Sequence, residues 1–528
     1  MKLPKKSYQW AMRHLFIQGD SDLFPPPFEI NVIKFNLNEI LTILAAVDLH
    51  LFDWNVGRRF LVPKGELDFR IGTQLDSLDS LVLTALIYKY GQKIENRRID
   101  FENRRVYSYR FEPTDDGRLY GTGTYWEDFW RDSIELASKP RIGAVAVSDI
   151  ADYYNQISHH TIENELDAAG LPQQIQKAIK NFIQKQTHKI SRGLAVGPHS
   201  THLLAELALN PIDRSLLAKG YNFKRYADDF LIFIEDRDKA EIALLELADT
   251  LDKQQKLHIQ NRKTHILESD QFIDYARKKL EEEPVNKAEA EILEMINYYT
   301  GGDPYTPIMI NKLKDDEIAL LDESYLVGIL EAYLSEEPIE YSRLRNFVRR
   351  ITQVRTPNAL PFIVNNISQF YPIIGVVARY IVASCKEYKG DICELGEAIC
   401  EALDSPFVQQ CKYLSMLLIN LFSQSPGLDH INKITKKYNA YSPVVRREIV
   451  IAAVRANQVD WIRERKDEID STDRWLKRAI LVGLSVLPES ERDAWLRSIK
   501  AGLSGMEKFT VKWCLKKRKL KLGSLSLP

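Results

Sequence analysis

The sequence predicts an α+β N-terminal half followed by an all-α C-terminal half, and three observations carry that reading. Up to about residue 270, short apolar runs of strand length alternate with segments of helical spacing. From about residue 315 onward only amphipathic helical segments follow, each of ~10–18 residues and joined by short polar stretches. The third observation is charge. The chain of 528 residues has a net charge of −1 from 72 Lys+Arg and 73 Asp+Glu, yet residues 1–300 carry 39 basic and 45 acidic side chains and residues 301–528 carry 33 and 28. The length allows two to four domains with a sizeable core. A composition of 45% hydrophobic and 27% charged residues excludes a disordered, collagenous or disulfide-stapled chain, and the near-zero total argues against a histone-like polybasic binder.

Taken in order, no N-terminal stretch combines a basic start, an apolar run and a small-residue cleavage site, so no signal peptide is expected. Residues 142–147 and 231–234 read as strands, each touching aspartates. Residues 203–209 and 240–251 repeat apolar residues at helical spacing. The turn-rich stretch 300–307 is the expected linker, giving units 1–300 and 301–528, and its Gly-Gly-Asp is read as loop because Pro304 follows. Beyond it, residues 325–334, 407–422, 443–456 and 474–486 read as helices. The echoes at Trp461, Trp475 and Trp495 suggest helix pairs stacked as in an α-repeat. The most apolar window, 362–385, is interrupted by Asn365, Asn366, Gln369 and Arg379, short of the ~20 clean residues of a membrane span. The five cysteines, all after residue 384, fit neither a metal knuckle nor a paired framework and are expected to be reduced thiols of a soluble, cytoplasmic protein with no membrane partner.

The strongest chemical signal is Tyr226-Ala-Asp228-Asp229 between Phe223 and the apolar run 231–234. Strand, tight turn and strand would hold two carboxylates at a hairpin tip, where they can meet a common ion. A second acid site precedes it, a strand ending at Asp149 with aromatics just beyond, in Asp149-Ile-Ala-Asp-Tyr-Tyr154. Carboxylates from two strand ends can hold two Mg²⁺ ions, with Mn²⁺ as the alternative, one at an attacking oxygen and one at a leaving pyrophosphate.

These residues resemble the reverse transcriptases. Asp149 to Tyr154 is similar to the first catalytic motif of their palm, and Tyr226 to Asp229 to their Tyr-x-Asp-Asp box. Residues 193–200 with 204–213 resemble the intervening loop-helix motif, and residues 257–264 the last palm motif. The resemblance implies a fingers and palm architecture for residues 1–300. It makes Asp149 and Asp228 the principal metal ligands, with Asp229 beside them and the Ile150 carbonyl completing a site. Tyr154 falls at the steric gate, whose ring would clash with a 2′-hydroxyl and select deoxynucleotides. Lys64 and Arg70 resemble the pair that grips the triphosphate, and Gly197 closes the loop at the nucleotide. Lys263 falls where a proton donor to pyrophosphate has been proposed; a structural lysine paired with an acid is the other reading. One departure is Gly193-Leu-Ala-Val-Gly197, where template-copying relatives carry a glutamine at the position of Val196. In those relatives the glutamine lies near the incoming nucleotide and template base; valine cannot make its hydrogen bonds, which argues against faithful reading of a template.

Residues 19–29 and 69–79 resemble the N-terminal signatures of bacterial phage-defence reverse transcriptases of the AbiK-like abortive-infection group, in which a HEAT-like helical-repeat domain replaces a thumb. Residues 444–449, 473–480 and 487–495 are similar to that domain. The group implies template-independent DNA synthesis from dNTPs in a homo-oligomer, primed from a protein hydroxyl, with the nascent single-stranded DNA attached to the protein. The alternatives are an RNA-templated reverse transcriptase with its own noncoding RNA, and a non-catalytic scaffold for an RNA or phage protein. The window 171–200 holds Lys177, Lys180, Lys185, Lys189 and Arg192 without an acid, which suits a nucleic-acid backbone or a solvated face. His199 with His202, and His159 with His160, are read as packing and helix-start residues rather than metal ligands. The basic run 516–519 is read as a solvated tail.

Overall fold

The computed structural model describes residues 1–121, 123, 125–281, 284–301 and 307–517. Most of the expected linker, and the end of the basic run 516–519, lie outside them.

Three helices, Lys5–Ile17, Glu29–Phe35 and Leu37–Ala46, open the chain. A two-stranded antiparallel hairpin follows, with β1 (Arg58–Pro63) paired to β2 (Phe69–Gln74) from Arg58↔Gln74 to Pro63↔Phe69. The long helix Ser77–Glu95 starts at Asp76, whose carboxylate accepts the Leu78 N–H at 3.2 Å. The palm is a four-stranded antiparallel sheet of β3 (Ala144–Asp149), β4 (Asn222–Tyr226), β5 (Asp229–Ile234) and β6 (His265–Glu268), in the order β4-β5-β3-β6.

The apolar runs of β3 and β5 are buried on both faces, and the two-residue period of a strand divides their side chains between two cores. Val145, Val147, Leu231 and Phe233 face Phe129, Trp130 and Phe272 of the helices Tyr125–Ala137 and Ser269–Glu281. Ala144, Ala146, Phe230 and Ile232 face the main core, with the helices His199–Ala218 and Arg237–Gln255. A continuous apolar run is what such a doubly covered strand requires.

After residue 307 every described element is helical. The helices Tyr341–Val354, Ile374–Ser384, Lys412–Gln424, Pro443–Arg455, Arg474–Val482 and Gly505–Lys517 form a row, each packed on the next. Side-chain caps set the starts of neighbouring turns: Asp391 accepts the Cys393 N–H and Asp473 accepts the Trp475 N–H, both at 2.8 Å. The expected helix over 407–422 is two, Pro406–Gln410 and Lys412–Gln424, because Cys411 takes an extended conformation at ψ 92°. Ile367–Ser384 is, by length and composition, apolar enough to cross a membrane, contrary to the sequence expectation for its window. Here it is a core element: 61% of it is buried, between the helices Tyr341–Val354 and Lys412–Gln424. Among the described residues no disulfide joins any of the five cysteines.

The helix Lys287–Thr300, on the near side of the expected linker, packs with the helical half. Glu289 accepts the Tyr333 hydroxyl at 2.7 Å. The row also folds back on the N-terminal half. Its helix Lys412–Gln424 lies on β1 and its last helix on Glu29–Phe35. At that contact Glu29, fully buried, binds Arg447 Nη2 (2.7 Å) and Arg478 Nε (3.1 Å), and Arg478 Nη2 reaches Asp76 (2.9 Å).

Candidate active site

The palm register sets the site. β3 and β5 pair with Asp149 opposite Asp229, and β4 and β5 pair up to Tyr226↔Asp229, so Ala227 and Asp228 alone make the turn. A two-residue turn between twisted strands calls for left-handed backbone, and Ala227 provides it at φ 52° without being glycine. Such a conformation costs about 1–3 kcal/mol and persists only where its surroundings fix it. Here the Ala227 N–H donates to Ser108 Oγ (2.8 Å) and its carbonyl accepts from Arg225 Nη1 (2.8 Å). Asp228 is thereby carried to the tip, and its carbonyl accepts the Ile150 N–H at 3.3 Å.

Beneath the hairpin lies a paired network. Arg225, with no exposed side-chain surface, binds Asp213 through Nε (2.7 Å) and Nη2 (2.6 Å) and Glu206 through Nη1 (3.1 Å). Glu206 also accepts from Arg98 Nη2 (2.8 Å) and Ser108 Oγ (2.6 Å). Burial opposes the Arg225 charge, but Asp213 and Glu206 outweigh it and hold the guanidinium's pKa above its usual value. The sequence motifs did not single out Glu206, Arg98 or Ser108. The available signal was two acids, Glu206 and Asp213, seven residues apart and so on one face of an otherwise apolar helix.

The acids at the tip are treated differently. Burial and the Asp149 charge push Asp228 above the usual carboxylate range, and burial with Asp228 and Asp149 pushes Asp229 up to about 7. Their cationic neighbour is Lys263, half-exposed after a short turn whose Gln260 N–H donates to the Asp149 carbonyl (2.7 Å). The Lys263 ammonium contacts the Asp149 carboxylate. Burial opposes its charge, while Asp149, Asp229 and Asp228 together raise its pKa. Among the described residues no three His, Cys, Asp or Glu side chains converge as a ready metal cage. The donor chemistry nevertheless fits a hard divalent cation: three carboxylates from adjoining strand ends, two of them raised by burial and then by carboxylate repulsion.

The other expected site residues divide into two sets. Tyr154 is partly buried against the main core, its hydroxyl shares a hydrogen bond with His202 Nδ1 (2.6 Å), and burial keeps its phenol well above the usual range. His202 stacks on Tyr109 at 4.3 Å, and burial followed by the neighbouring His199 lowers it to about 3. Lys64 begins the β1–β2 turn, half-exposed, 4.0 Å from Asp68, and its charge reaches Asp228. Arg70 and Gly197 line one cavity of about 250 Å³. Gly197 takes φ +121°, and a Cβ there would meet Ser21 Oγ at 2.9 Å, so the loop lies close against its neighbours. The Val196 carbonyl is occupied by the Thr73 N–H at 2.8 Å.

The five basic residues of 171–200 do not form one unpaired surface. Lys180 binds Glu163 (2.9 Å), Lys185 approaches Asp53 (3.6 Å) and Arg192 reaches Gln156 (3.5 Å), whereas Lys177 and Lys189 are exposed. The acids come from other segments, which the acid-free window could not reveal. His159 starts the helix His159–Ala168 and bonds the Gly193 carbonyl through Nε2 (2.9 Å).

Residues 103–287 match the model of the reverse transcriptase (RNA-dependent DNA polymerase) family. No curated protein matches the chain. Among solved structures, telomerase from Candida albicans in complex with a TWJ fragment of telomeric RNA is 12% identical with a TM-score of 0.32, covering 73% of this chain and 66% of that one. Apo telomerase from Candida tropicalis is 9% identical with a TM-score of 0.34, covering 75% and 77%. The chain thus carries a reverse transcriptase domain, and the protein is a nucleotidyltransferase.

Proposed function

We propose that the protein is a divalent-cation-dependent DNA polymerase that extends a strand from dNTPs without a conventional template, primed from a protein hydroxyl, and acts in bacterial defence against phage by abortive infection. The observation that carries the polymerase reading is the register that sets Asp149 opposite Asp229, with Asp228 at the two-residue turn between β4 and β5. Independence from a template is supported by Val196, which has no side-chain hydrogen-bonding group and whose carbonyl is already used by Thr73. The defence role, the homo-oligomer, the protein primer and a HEAT-like repeat in place of a thumb rest on the resemblance of residues 19–29, 69–79 and the C-terminal helices to the abortive-infection group.

In this reading Asp149, Asp228, Asp229 and the Ile150 carbonyl would hold Mg²⁺. When bound, the ions supply charge neutralisation at the attacking oxygen and at the departing pyrophosphate. The protein's own residues do the rest. The paired network under the hairpin fixes Ala227 and so the position of Asp228. Tyr154, tethered to His202, denies space to a 2′-hydroxyl. Lys64 and Arg70 hold the triphosphate. Lys263, kept protonated by three carboxylates, has a proton to give the departing pyrophosphate.

The test is to incubate the full chain with labelled dNTPs and Mg²⁺, without added nucleic acid, and run denaturing gels with and without protease. Label that migrates with the protein until protease releases it is the expected result, and Asp228→Asn should reduce it by at least about 10³-fold. Absence of incorporation by the wild type under every condition sinks the polymerase reading and favours a scaffold. Synthesis that stops when a co-purifying RNA is removed by nuclease favours the templated alternative.

A further inference from the structure

Arg70 is not the sole arginine in its cavity. The same space of about 250 Å³ is lined by Arg345 and Arg349 of the helix Tyr341–Val354 and by Arg379 of the helix Ile374–Ser384, against a single lining carboxylate, Asp22. Among the described residues none of these four guanidinium groups has a hydrogen-bond or ion-pair partner, and Arg70 Nε is buried without one. Burial, followed by Arg70 and Arg349, lowers Arg345, and burial lowers Arg70. Like charges crowded on a partly desolvated wall destabilise one another unless an anion joins them.

A second cavity, of about 420 Å³, adjoins it: the two share Asp22, Leu23, Gly375 and Arg379 in their linings, and the second is lined as well by Arg355 and Lys386, neither with an ion-pair partner among the described residues, and by the carboxylate of Glu387. The shared wall is built tightly. The Tyr413 hydroxyl donates to the Leu23 carbonyl at 2.6 Å, and a Cβ on Gly375 would lie 3.4 Å from the Tyr413 oxygen. Basic groups therefore line both adjoining cavities, together with apolar side chains such as Val62 and Val196 in the first and Val382 and Leu417 in the second. A lone nucleotide would occupy one of the two. A strand, with charged phosphates and flat bases that pack on apolar surface, matches that extent and that mixture.

We propose that the two adjoining cavities form a track for single-stranded nucleic acid, in which Arg345, Arg349 and Arg379 neutralise phosphates next to the triphosphate site at Arg70, so that the helical half supplies the basic wall that holds the strand. The identity of the strand as the polymerase's own product rests on the function proposed above; the binding itself does not.

The test is fluorescence anisotropy with labelled (dT)₈ and the full chain in EDTA, on wild type and on Asp228→Asn, which removes turnover. Both should bind. Arg345→Ala/Arg349→Ala should weaken binding at least tenfold and lower the slope of log affinity against log salt by about 1.4, two phosphates at ~0.7 each. Arg379→Ala, at an exposed position, gives a second reading if the double variant does not fold, and Arg345→Lys/Arg349→Lys should restore part of the salt slope. Unchanged affinity in both alanine variants, or no wild-type binding at low salt, overturns the proposal. Equal affinity for (dT)₂ and (dT)₈, with dTTP competing fully, overturns the strand and leaves a nucleotide site. Arginine-dependent binding by a protein that incorporates no dNTP keeps the track while removing the polymerase reading.

Discussion

Two groups of arginines flank the polymerase site and are handled in opposite ways. Under the hairpin, Arg225 and Arg98 spend their strong contacts on Asp213, Glu206, Glu95 and main-chain carbonyls. Across the cavity, Arg70, Arg345, Arg349 and Arg379 face one carboxylate and bind nothing among the described residues. The first arrangement is architecture: opposite charges satisfy each other out of water, and their geometry fixes a strained turn. The second leaves charge uncancelled beside a space, which is useful only to a molecule that arrives later. The tip acids show the same logic with the sign reversed, since burial and neighbouring carboxylates raise Asp228 and Asp229 against the pull of Lys263. Completeness of pairing, more than charge itself, separates scaffold from site.

The widest gap between the two groups should appear in stability. Arg225→Met leaves Asp213 and Glu206 buried without their shared partner, a loss of about 3–5 kcal/mol, to be read from urea denaturation. If the loss were below about 1 kcal/mol, the network would not be holding the turn, and the contrast with the cavity would fail. Glu29→Gln tests the equivalent network between the two halves. Its cost should be smaller, about 1–3 kcal/mol, because Arg447 retains Glu448 and Arg478 retains Asp76.

A third treatment of a basic group is to bury it neutral. His14 is 2% exposed, its Nδ1 bonds the Gly117 carbonyl at 2.6 Å, and burial, then His199, lowers it to about 3. Its folded pKa is below the unfolded value of about 6.5, so the unfolded chain binds the extra proton and stability falls as pH drops below 6.5. The slope approaches about 1.4 kcal/mol per pH unit, or about 2 kcal/mol by pH 5. His14→Gln should remove that part of the slope in denaturation curves taken across this range.

Much of this contrast is illegible in the sequence, for physical reasons. The palm announced itself because its motifs are local: Asp149 to Tyr154 and Tyr226 to Asp229 each lie within six residues, and the strands that end at Asp149 and begin at Asp229 are continuous apolar runs. The network beneath is assembled from residues 98, 108, 206, 213 and 225, whose meeting depends on tertiary packing. The window 171–200 holds five basic residues and no acid, yet Glu163 and Asp53 neutralise Lys180 and Lys185 from elsewhere in the chain. Arg345, Arg349 and Arg379 drew no attention as site residues because each sits in an ordinary amphipathic helix, and only the return of the helical row onto the β1–β2 hairpin brings them to Arg70. A helix pattern records which face is buried, but not which distant residue that helix will meet.

The smallest effect is the sharpest discriminator. Arg345→Ala/Arg349→Ala removes two half-buried guanidinium groups, and by size alone such a change ought to cost packing. These groups hold no partner in place, and Arg345 is depressed by burial and then by Arg70 and Arg349, so their removal also relieves repulsion. The two terms should nearly cancel, leaving stability in metal-free buffer within about 0.5 kcal/mol of wild type. Inorganic tripolyphosphate should then separate the proteins. An anion that binds only the folded state raises the melting temperature of the wild type, and about 2.7 kcal/mol is added at a hundredfold excess over its dissociation constant. The double variant should show little of that rise. A variant as destabilised as Arg225→Met, or one that gains as much from tripolyphosphate as the wild type does, would mean that the cavity arginines are architecture after all.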